Sequence, residues 1–526
     1  MKNSRLMILA GIFAATCGGV VPSNGADGTS ERISRLEKAV TELQQENEDL
    51  KKQMGTTADS AAAKIKLSAP VQELRIYGDG RVRFAFNEGR VVEGVDHGQA
   101  DRWRYRLRLG MDLKLNEGWF FGFQLQTGAN ARSTNVTMGG VPVFNKASTD
   151  SDNFVTAVDP ATIKTTKAKA VTRVNFGDTV FVGLMYLRYT PRNWISLEGG
   201  RIPNPFIGGN TGASGGSLLV WDPDINPQGF AEHFKITLGP WGGTPAGYSK
   251  DGYSKEGKAI LTPEPATGMT LDLFANFGQF VYEDVMENNF NKAPGPAGEV
   301  ANHADLWMLG FQAGAKANFT KTIYFQVAPA FYTYTGGDVY ANPFNGDATQ
   351  VVLNSNAVPG LLTFNQTGIN DLEMLEIPAE FGWTWWKTPF KIFGEYVDNL
   401  QSKERAREAG HPDKNEGTAY AVGAGVGAIK KKGDWELKGW WQHEEQFALD
   451  PNIIDDDIFD GKLNMEGYVL KLSYAFTDAA WFAATYAKGT RIDHSLGTGG
   501  GGGLLGAAGF PLDTAQLLFL DVNLKF

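Results

Sequence analysis

The sequence has little cysteine and no long apolar segment after its N-terminus. Its single cysteine, Cys17, cannot form an intramolecular disulfide, so a disulfide framework is excluded. No later apolar run reaches the length that a membrane-spanning helix needs, which argues against a helical membrane protein. Basic residues are also few, with 49 Lys and Arg against 59 Asp and Glu. The resulting net charge of -10 argues against a nucleic-acid partner.

Catalytic and metal-binding signatures are missing as well. The sequence has no phosphate-binding loop and no Cys-His set, and its six histidines are scattered. We therefore predict no enzyme activity, no cofactor and no metal site. Residues 455–457, all aspartate, together with Asp460 and Gly461 resemble a calcium loop, but the spacing and the closing glutamate of an EF-hand are absent. We expect a solvated extracellular loop there, with calcium binding as the alternative.

The N-terminus has the composition of a secretory signal. Lys2 and Arg5 precede the apolar stretch Leu6–Ala15, and small residues follow it, which predicts a signal peptide over residues 1–26. A lipid anchor on Cys17 is the alternative, although Thr16 is a poor residue before a lipidated cysteine.

A short heptad segment follows within residues 27–54. Its seam positions, all apolar except Asn47, alternate in spacing between three and four from Glu31 to Met54. They are Ile33, Leu36, Val40, Leu43, Asn47, Leu50 and Met54. This pattern predicts a periplasmic coiled-coil helix that depends on assembly, because three heptads are marginal alone; an amphipathic helix lying on another surface is the alternative. Residues 55–70 are small and polar, and we predict a linker there.

The stretch Arg102–Leu115 indicates the fold of the remaining chain, residues 71–526. Successive side chains of a β-strand point to opposite faces, so one face carries only apolar and aromatic residues from Trp103 to Leu115. The other face carries four arginines, Asp112 and Lys114. Lipid on one side and water on the other satisfies both faces. The pattern therefore predicts a transmembrane β-barrel with a wet lumen.

The same two-residue period recurs in sixteen segments. They are Leu74–Phe86, Arg102–Leu115, Trp119–Thr127, Thr179–Thr190, Trp194–Arg201, Phe230–Leu238, Met269–Val281, Leu306–Phe319, Ile323–Tyr334, Leu372–Trp386, Phe390–Val397, Ala419–Lys430, Trp435–Phe447, Gly467–Phe476, Trp481–Thr490 and Ala515–Phe526. Short and long connections alternate, as short periplasmic turns and long extracellular loops do. The connection Gly239–Gly268 is long where a short turn is expected, so eighteen strands is the alternative.

Aromatic residues support an outer-membrane location. Trp119, Trp194, Trp435 and Trp481 each follow a short turn, where an interfacial aromatic girdle belongs. The last segment alternates apolar residues down to the terminal Phe526. We therefore predict an all-β, antiparallel transmembrane barrel in the outer membrane.

Several motifs carry a resemblance to a known family. They are Tyr186-Leu187-Arg188-Tyr189 with Trp194, Gly200-Arg201, Asn204-Pro205-Phe206, the stretch from Leu219 to Gly229, Phe393-Gly394-Glu395-Tyr396 with Asn399, Gly433-Asp434-Trp435, and Asp457 to Gly461 with Gly467. The most specific is Trp221-Asp222-Pro223-Asp224-Ile225-Asn226-Pro227. The chain resembles the "putative porin" family of diderm bacteria, whose barrel follows a short coiled coil. The resemblance covers Glu31 to Phe526 and implies a trimeric general diffusion porin, without naming a solute.

Six arginines on two neighbouring strands are the candidate pore-lining residues. They are Arg81, Arg83, Arg102, Arg104, Arg106 and Arg108. So many like charges need water, anions or an acidic partner. In a sixteen-stranded porin the loop after the fifth strand commonly folds into the pore, which makes Asp222 and Asp224 candidate partners. Opposed basic and acidic walls would filter solutes by charge and size; a purely structural pairing is the alternative.

The leading functional hypothesis is therefore a water-filled channel for passive diffusion of small hydrophilic solutes and ions. Its expected partners are outer-membrane lipid, these solutes and two further copies of the chain in a homotrimer. One alternative is a structural tether, with the coiled coil in contact with peptidoglycan. A barrel-borne outer-membrane enzyme is the other alternative, although the sequence offers no clear His-Ser pair for it.

Overall fold

The computed structural model describes most of the chain from Pro70 to the C-terminus. The described residues are 70–91, 98–128, 136–137, 180–208, 217–242, 247–253, 259–264, 268–283, 306–335, 352–353, 364–365, 369, 371–409, 411–499 and 512–526. The predicted signal peptide and heptad segment, and all of the linker except Pro70, lie outside these residues, and their predictions stand as made.

Sixteen antiparallel strands form one closed sheet, and the two-residue strand Val136–Thr137 pairs with the second of them. They are β1 (Val71–Val91), β2 (Gly98–Leu115), β3 (Trp119–Thr127), β4 (Val180–Arg192), β5 (Ile195–Arg201), β6 (Gln228–Trp241), β7 (Met269–Glu283), β8 (Leu306–Asn318), β9 (Ile323–Val327 and Ala330–Tyr334), β10 (Glu373–Trp385), β11 (Thr388–Asn399), β12 (Thr418–Gly427), β13 (Trp435–Glu444), β14 (Met465–Ala475), β15 (Ala480–Arg491) and β16 (Leu512–Lys525). One short helix, α1, spans Ser402–Glu408. Within the described ranges, no helix is long and apolar enough to cross a membrane.

The sheet closes on itself, because β1 pairs with β2 on one side and with β16 on the other. At this seam the backbone amide of Phe526 donates to the carbonyl of Gly78, and the amide of Gly78 donates to the carbonyl of Phe526, both at 3.0 Å. A Cβ atom on Gly78 would lie 2.5 Å from the Phe526 ring, so only glycine fits there. Closure leaves no free edge to the sheet.

The predicted count of sixteen strands is confirmed, and the alternative of eighteen is wrong. The long connection between β6 and β7 does contain a hairpin, Gly247–Tyr253 with Ala259–Glu264. That hairpin pairs only with itself and adds no strand to the barrel. Strand β9 is interrupted at Ala328 and Pro329, since proline has no amide hydrogen to donate to a neighbouring strand.

The two faces of the wall follow the predicted alternation. On β2, Trp103 and Leu107 are 55% and 50% exposed, whereas Arg104 between them is 7% exposed. On β1, Ile76 is exposed and Arg83 is buried. The apolar side chains therefore point away from the barrel and the charged ones point into it.

Two loops pack inside the barrel. The first inner loop, described at residues 202–208 and 217–227, lies between β5 and β6, and the second inner loop, residues 445–464, joins β13 to β14. Phe206 and Trp221 of the first loop pack edge to face against Tyr332 on the inner face of β9. Ile453 of the second loop belongs to the same buried cluster. The hydrophobic core thus lies inside the barrel and covers one side of the lumen.

The facing of β2 generates a test with adjacent residues. Leu107→Arg would point a charge at lipid and lower the free energy of unfolding by about 2–4 kcal/mol. Arg106→Leu should leave membrane insertion intact, because Arg108 still pairs with Asp79 and Asp224. Urea unfolding in lipid vesicles measures both. Blocked insertion of Arg106→Leu together with normal insertion of Leu107→Arg would show that the facing is inverted.

Candidate functional site

The arginines of β1 and β2 form a basic wall inside the barrel. The register places Arg81 opposite Arg106 and Arg83 opposite Arg104. Arg102 and Arg108 follow on the same face of β2. Like charges directly across a ladder repel, so this arrangement requires nearby negative charge.

Two carboxylates from the barrel wall supply part of that charge. Asp79 on β1 accepts from Arg106 at 2.9 Å and from Arg108 at 2.7 Å. Asp521 on β16 accepts from the Nε atom of Arg83 at 2.7 Å. Arg83 also lies over the Phe519 ring, with its guanidinium carbon 4.2 Å from the ring centroid. These contacts fix the arginine side chains on the wall.

The second inner loop supplies a third carboxylate, which the sequence analysis missed. Asp457 accepts from Arg83 at 2.6 Å and from Arg104 at 3.1 Å. Burial by itself would raise the pKa of Asp457, but the two guanidiniums, helped by Arg81, hold it well below its usual range. The prediction of a solvated extracellular loop at residues 455–457 is therefore wrong. Asp457 forms ion pairs with the arginine wall, so the loop lies inside the barrel.

The first inner loop supplies the fourth carboxylate. An oxygen of Asp224 lies 3.4 Å from Arg106 and 3.7 Å from Arg108. Asp222 takes a different position and is only 3% exposed. Its backbone amide donates to the carbonyl of Ile453 at 2.7 Å, and its carboxylate accepts from the amide of Asp224 at 2.7 Å. Asp222 thus joins the two inner loops and sets the turn that presents Asp224 to the arginines.

An acidic cluster lies where the inner loops meet. Carboxylate oxygens of Asp222, Asp455 and Asp456 lie within 4.8 Å of one another. Burial and the adjacent carboxylates raise the pKa of Asp455 to about 7 and raise that of Asp222 well above its usual value. At neutral pH protons therefore relieve part of the repulsion. Carboxylate oxygens of this kind suit a hard cation. The sequence could not indicate this cluster, because only the packing of the two inner loops brings Asp222 close to Asp455 and Asp456.

Polar side chains on the opposite wall hold the first inner loop. Glu395 on β11 accepts from the amides of Leu218 and Leu219 at 2.9 and 3.1 Å. Gln312 on β8 accepts from the amide of Ile207 and donates to its carbonyl, both at 2.9 Å. The strand alternation places both residues inward, but nothing in the sequence indicates that their partner is loop backbone.

Inward-facing lysines on β11, β13 and β14 add further positive charge to the inner face of the barrel. Lys438 on β13 lies directly opposite Lys471 on β14, and Gly425 on β12 lies between Lys438 and Lys391 on β11. The Lys391 side chain crosses the space that a Gly425 side chain would fill, since its Cε atom is 3.2 Å from that Cβ position. The sequence analysis did not single out these lysines, although their inward facing follows from the alternation.

Comparison with known proteins places the chain in a family. The sequence pattern of the family described as "Putative porin" matches residues 95–374. The chain belongs to this family. The porin is an outer-membrane channel protein, which agrees with its closed barrel, and family membership favours a channel over an enzyme. No curated protein matches the chain.

Solved structures similar to the porin include engineered variants of Rhodopseudomonas blastica porin. One shares 10% sequence identity, covers 86% of this chain and 100% of its own length, and gives a TM-score of 0.37. A triple mutant of that protein gives 0.35 with the same identity and coverage. At this identity and TM-score the likeness carries no argument. The evidence for the barrel is its strand pairing.

Asp457 offers a test of the network. Asp457→Asn removes the partner that Arg83 and Arg104 share, so we expect a loss of roughly 2–4 kcal/mol in unfolding free energy, near the buried-pair range because the carboxylate is only partly exposed. Asp456→Asn is the matched control. The depressed pKa of Asp457 means that its contribution is present above about pH 4 and is lost as pH falls through the folded-state pKa. Equal stability of both variants at pH 7 would contradict this role.

Proposed function

We propose that the porin lets small hydrophilic solutes and ions diffuse through a charged constriction. Its basic side is the wall of Arg81, Arg83, Arg102, Arg104, Arg106 and Arg108, and its acidic side is the edge of the two inner loops, with Asp457 and Asp224 against the arginines and Asp222 behind Asp224. The observation that carries the proposal is that carboxylates of both inner loops, Asp224 and Asp457, contact arginines of β1 and β2 inside the barrel. Such a transverse arrangement of charge orients polar solutes and rejects apolar ones.

A planar-bilayer recording tests whether the porin forms a channel. Full-length porin in a planar bilayer should give stepwise, ohmic conductance, because a water-filled lumen passes ions in proportion to voltage. Silence in the bilayer would favour the structural tether instead. No specific contact in the described part of the chain favours the tether or an enzyme.

The charges near the proposed constriction should determine ion preference more strongly than the net negative charge of the whole chain does. The six arginines have four ion-pair partners, Asp79, Asp224, Asp457 and Asp521, and the charges of Asp456 and Asp460 also act on Arg102, so positive and negative charges are close to balance here. Burial and adjacent carboxylates raise the pKa of Asp455 to about 7, which further reduces the negative charge at neutral pH. Salt screens charges more than about 8–10 Å away, so distant acidic loops contribute little. We therefore infer weak or no cation preference, despite the sequence pI of about 5.3.

The selectivity proposal is tested by Arg104→Gln combined with Arg106→Gln. Removing two positive charges from the constriction should shift the zero-current potential in a KCl gradient toward cations. Conductance should change more at low salt than at high salt, because screening weakens the effect of the charges. Arg407→Gln, on the exposed side of α1, is the matched control and should leave the potential unchanged. An unchanged potential in the double variant would remove these arginines from the constriction.

We further propose that the porin assembles as a homotrimer and that Glu31–Met54 forms a periplasmic coiled coil that can contact peptidoglycan. The support is the seam of apolar residues in that segment, from Ile33 to Met54.

Deleting Glu31–Met54 tests the assembly proposal. The deletion should lower the melting temperature of the oligomer while each barrel still folds, because the barrel wall does not include this segment. Native mass spectrometry and thermal melts in detergent measure oligomer and stability. An isolated Glu31–Met54 peptide that stays monomeric, together with an unchanged melting temperature, would count against the coiled coil.

A further inference from the structure

A basic cavity lies between two short turns at the periplasmic end of the barrel. The turns are the β10–β11 turn and the β12–β13 turn, which lie side by side because β11 pairs with β12. The cavity has a volume of about 460 Å³, which falls in the size range of small-ligand sites. Its lining residues include Lys387, Lys430, Lys431, Asp434 and Trp435.

The charge of the cavity is positive. Three lysines line it, and all three are exposed to solvent. The single carboxylate in the lining, Asp434, is engaged by the turn itself, since one of its oxygens accepts from the backbone amides of Lys430 and Lys431 at 3.0 and 2.9 Å. This turn therefore holds two lysines at the cavity, and the adjacent turn adds Lys387, so the three lysines outnumber the one carboxylate in the lining.

Aromatic side chains place this cavity at the membrane surface. Trp435, which lines the cavity, is 46% exposed on the outer side of β13. Trp385 and Trp386, beside Lys387, are 64% and 86% exposed. Exposed tryptophans gather at the level of lipid headgroups, where a ring can lie against acyl chains while its N–H reaches water. A cationic recess among such tryptophans has the chemistry of a headgroup site.

We propose that this cavity binds the phosphate group of an anionic phospholipid in the periplasmic leaflet of the outer membrane. The lysines pair with the phosphate, and Trp385, Trp386 and Trp435 contact the region where headgroup meets acyl chain. The proposal uses the assignment of short turns to the periplasm and is independent of the selectivity of the pore. A free phosphate ion shares the ligand chemistry, but it would not use the exposed tryptophans.

The test measures lipid binding to the full-length porin in detergent by native mass spectrometry. The probes are phosphatidylglycerol, phosphatidylcholine with the same acyl chains, and inorganic phosphate. The test variant combines Lys387→Gln, Lys430→Gln and Lys431→Gln. The control variant removes three cations from other periplasmic turns and strand ends, with Lys114→Gln, Arg192→Gln and Lys321→Gln.

We expect the wild-type porin to prefer phosphatidylglycerol by at least about tenfold, since each lysine beside an anionic headgroup contributes a factor of about five. The test variant should lose this preference and the control variant should keep it. Lys431→Gln alone should lose about fivefold, which provides a second reading if the triple variant folds poorly. Retention of the preference by the test variants, equal loss in the control, or displacement of the lipid by millimolar phosphate would each overturn the proposal.

Discussion

Repulsion among the arginines of β1 and β2 is the constraint on which the interior of the barrel depends. Arg83 and Arg104 are each less than a tenth exposed and lie directly opposite one another. Burying these two charges without close carboxylates would strongly destabilise the fold, because desolvating a guanidinium costs several kcal/mol. The wall provides Asp79 and Asp521, and the rest must come from loops. Both inner loops therefore fold into the lumen with an acidic edge toward this wall.

The inner loops combine two kinds of packing that serve different ends. Their apolar residues, such as Phe206, Trp221 and Ile453, bury against the inner faces of β7 to β12 and hold the loops in place. Their carboxylates are left on the opposite side, toward the arginines. Polar wall residues such as Glu395 satisfy loop amides that would otherwise be buried without a partner. The lumen is thus divided into a filled apolar side and a charged side.

The wall could be predicted from the sequence, and the interior only in part. Alternation with a period of two is a local property, so each of the sixteen strands, the facing of Arg104 and Leu107 and the girdle positions of Trp119 and Trp435 follow from the residues themselves. Asp457 looked like a solvated loop residue, because its partners Arg83 and Arg104 are more than 350 residues away in the chain. The hairpin within Gly239–Gly268 was suspected, but only the pairing shows that it stays outside the barrel.

The contact between Arg83 and Asp521 has a consequence for the order in which the molecule forms. These residues are 438 positions apart and lie on the first and last strands, so their ion pair exists only after the sheet has closed. Asp457 pairs with the same guanidinium. On an open sheet, Arg83 would not yet have Asp521 as its second partner. Loop closure over such distances is entropically costly and comes late in folding. We therefore expect the ion pairs around Arg83 to form in the last step of biogenesis, so that a partly inserted sheet exposes its arginines to water until the barrel closes.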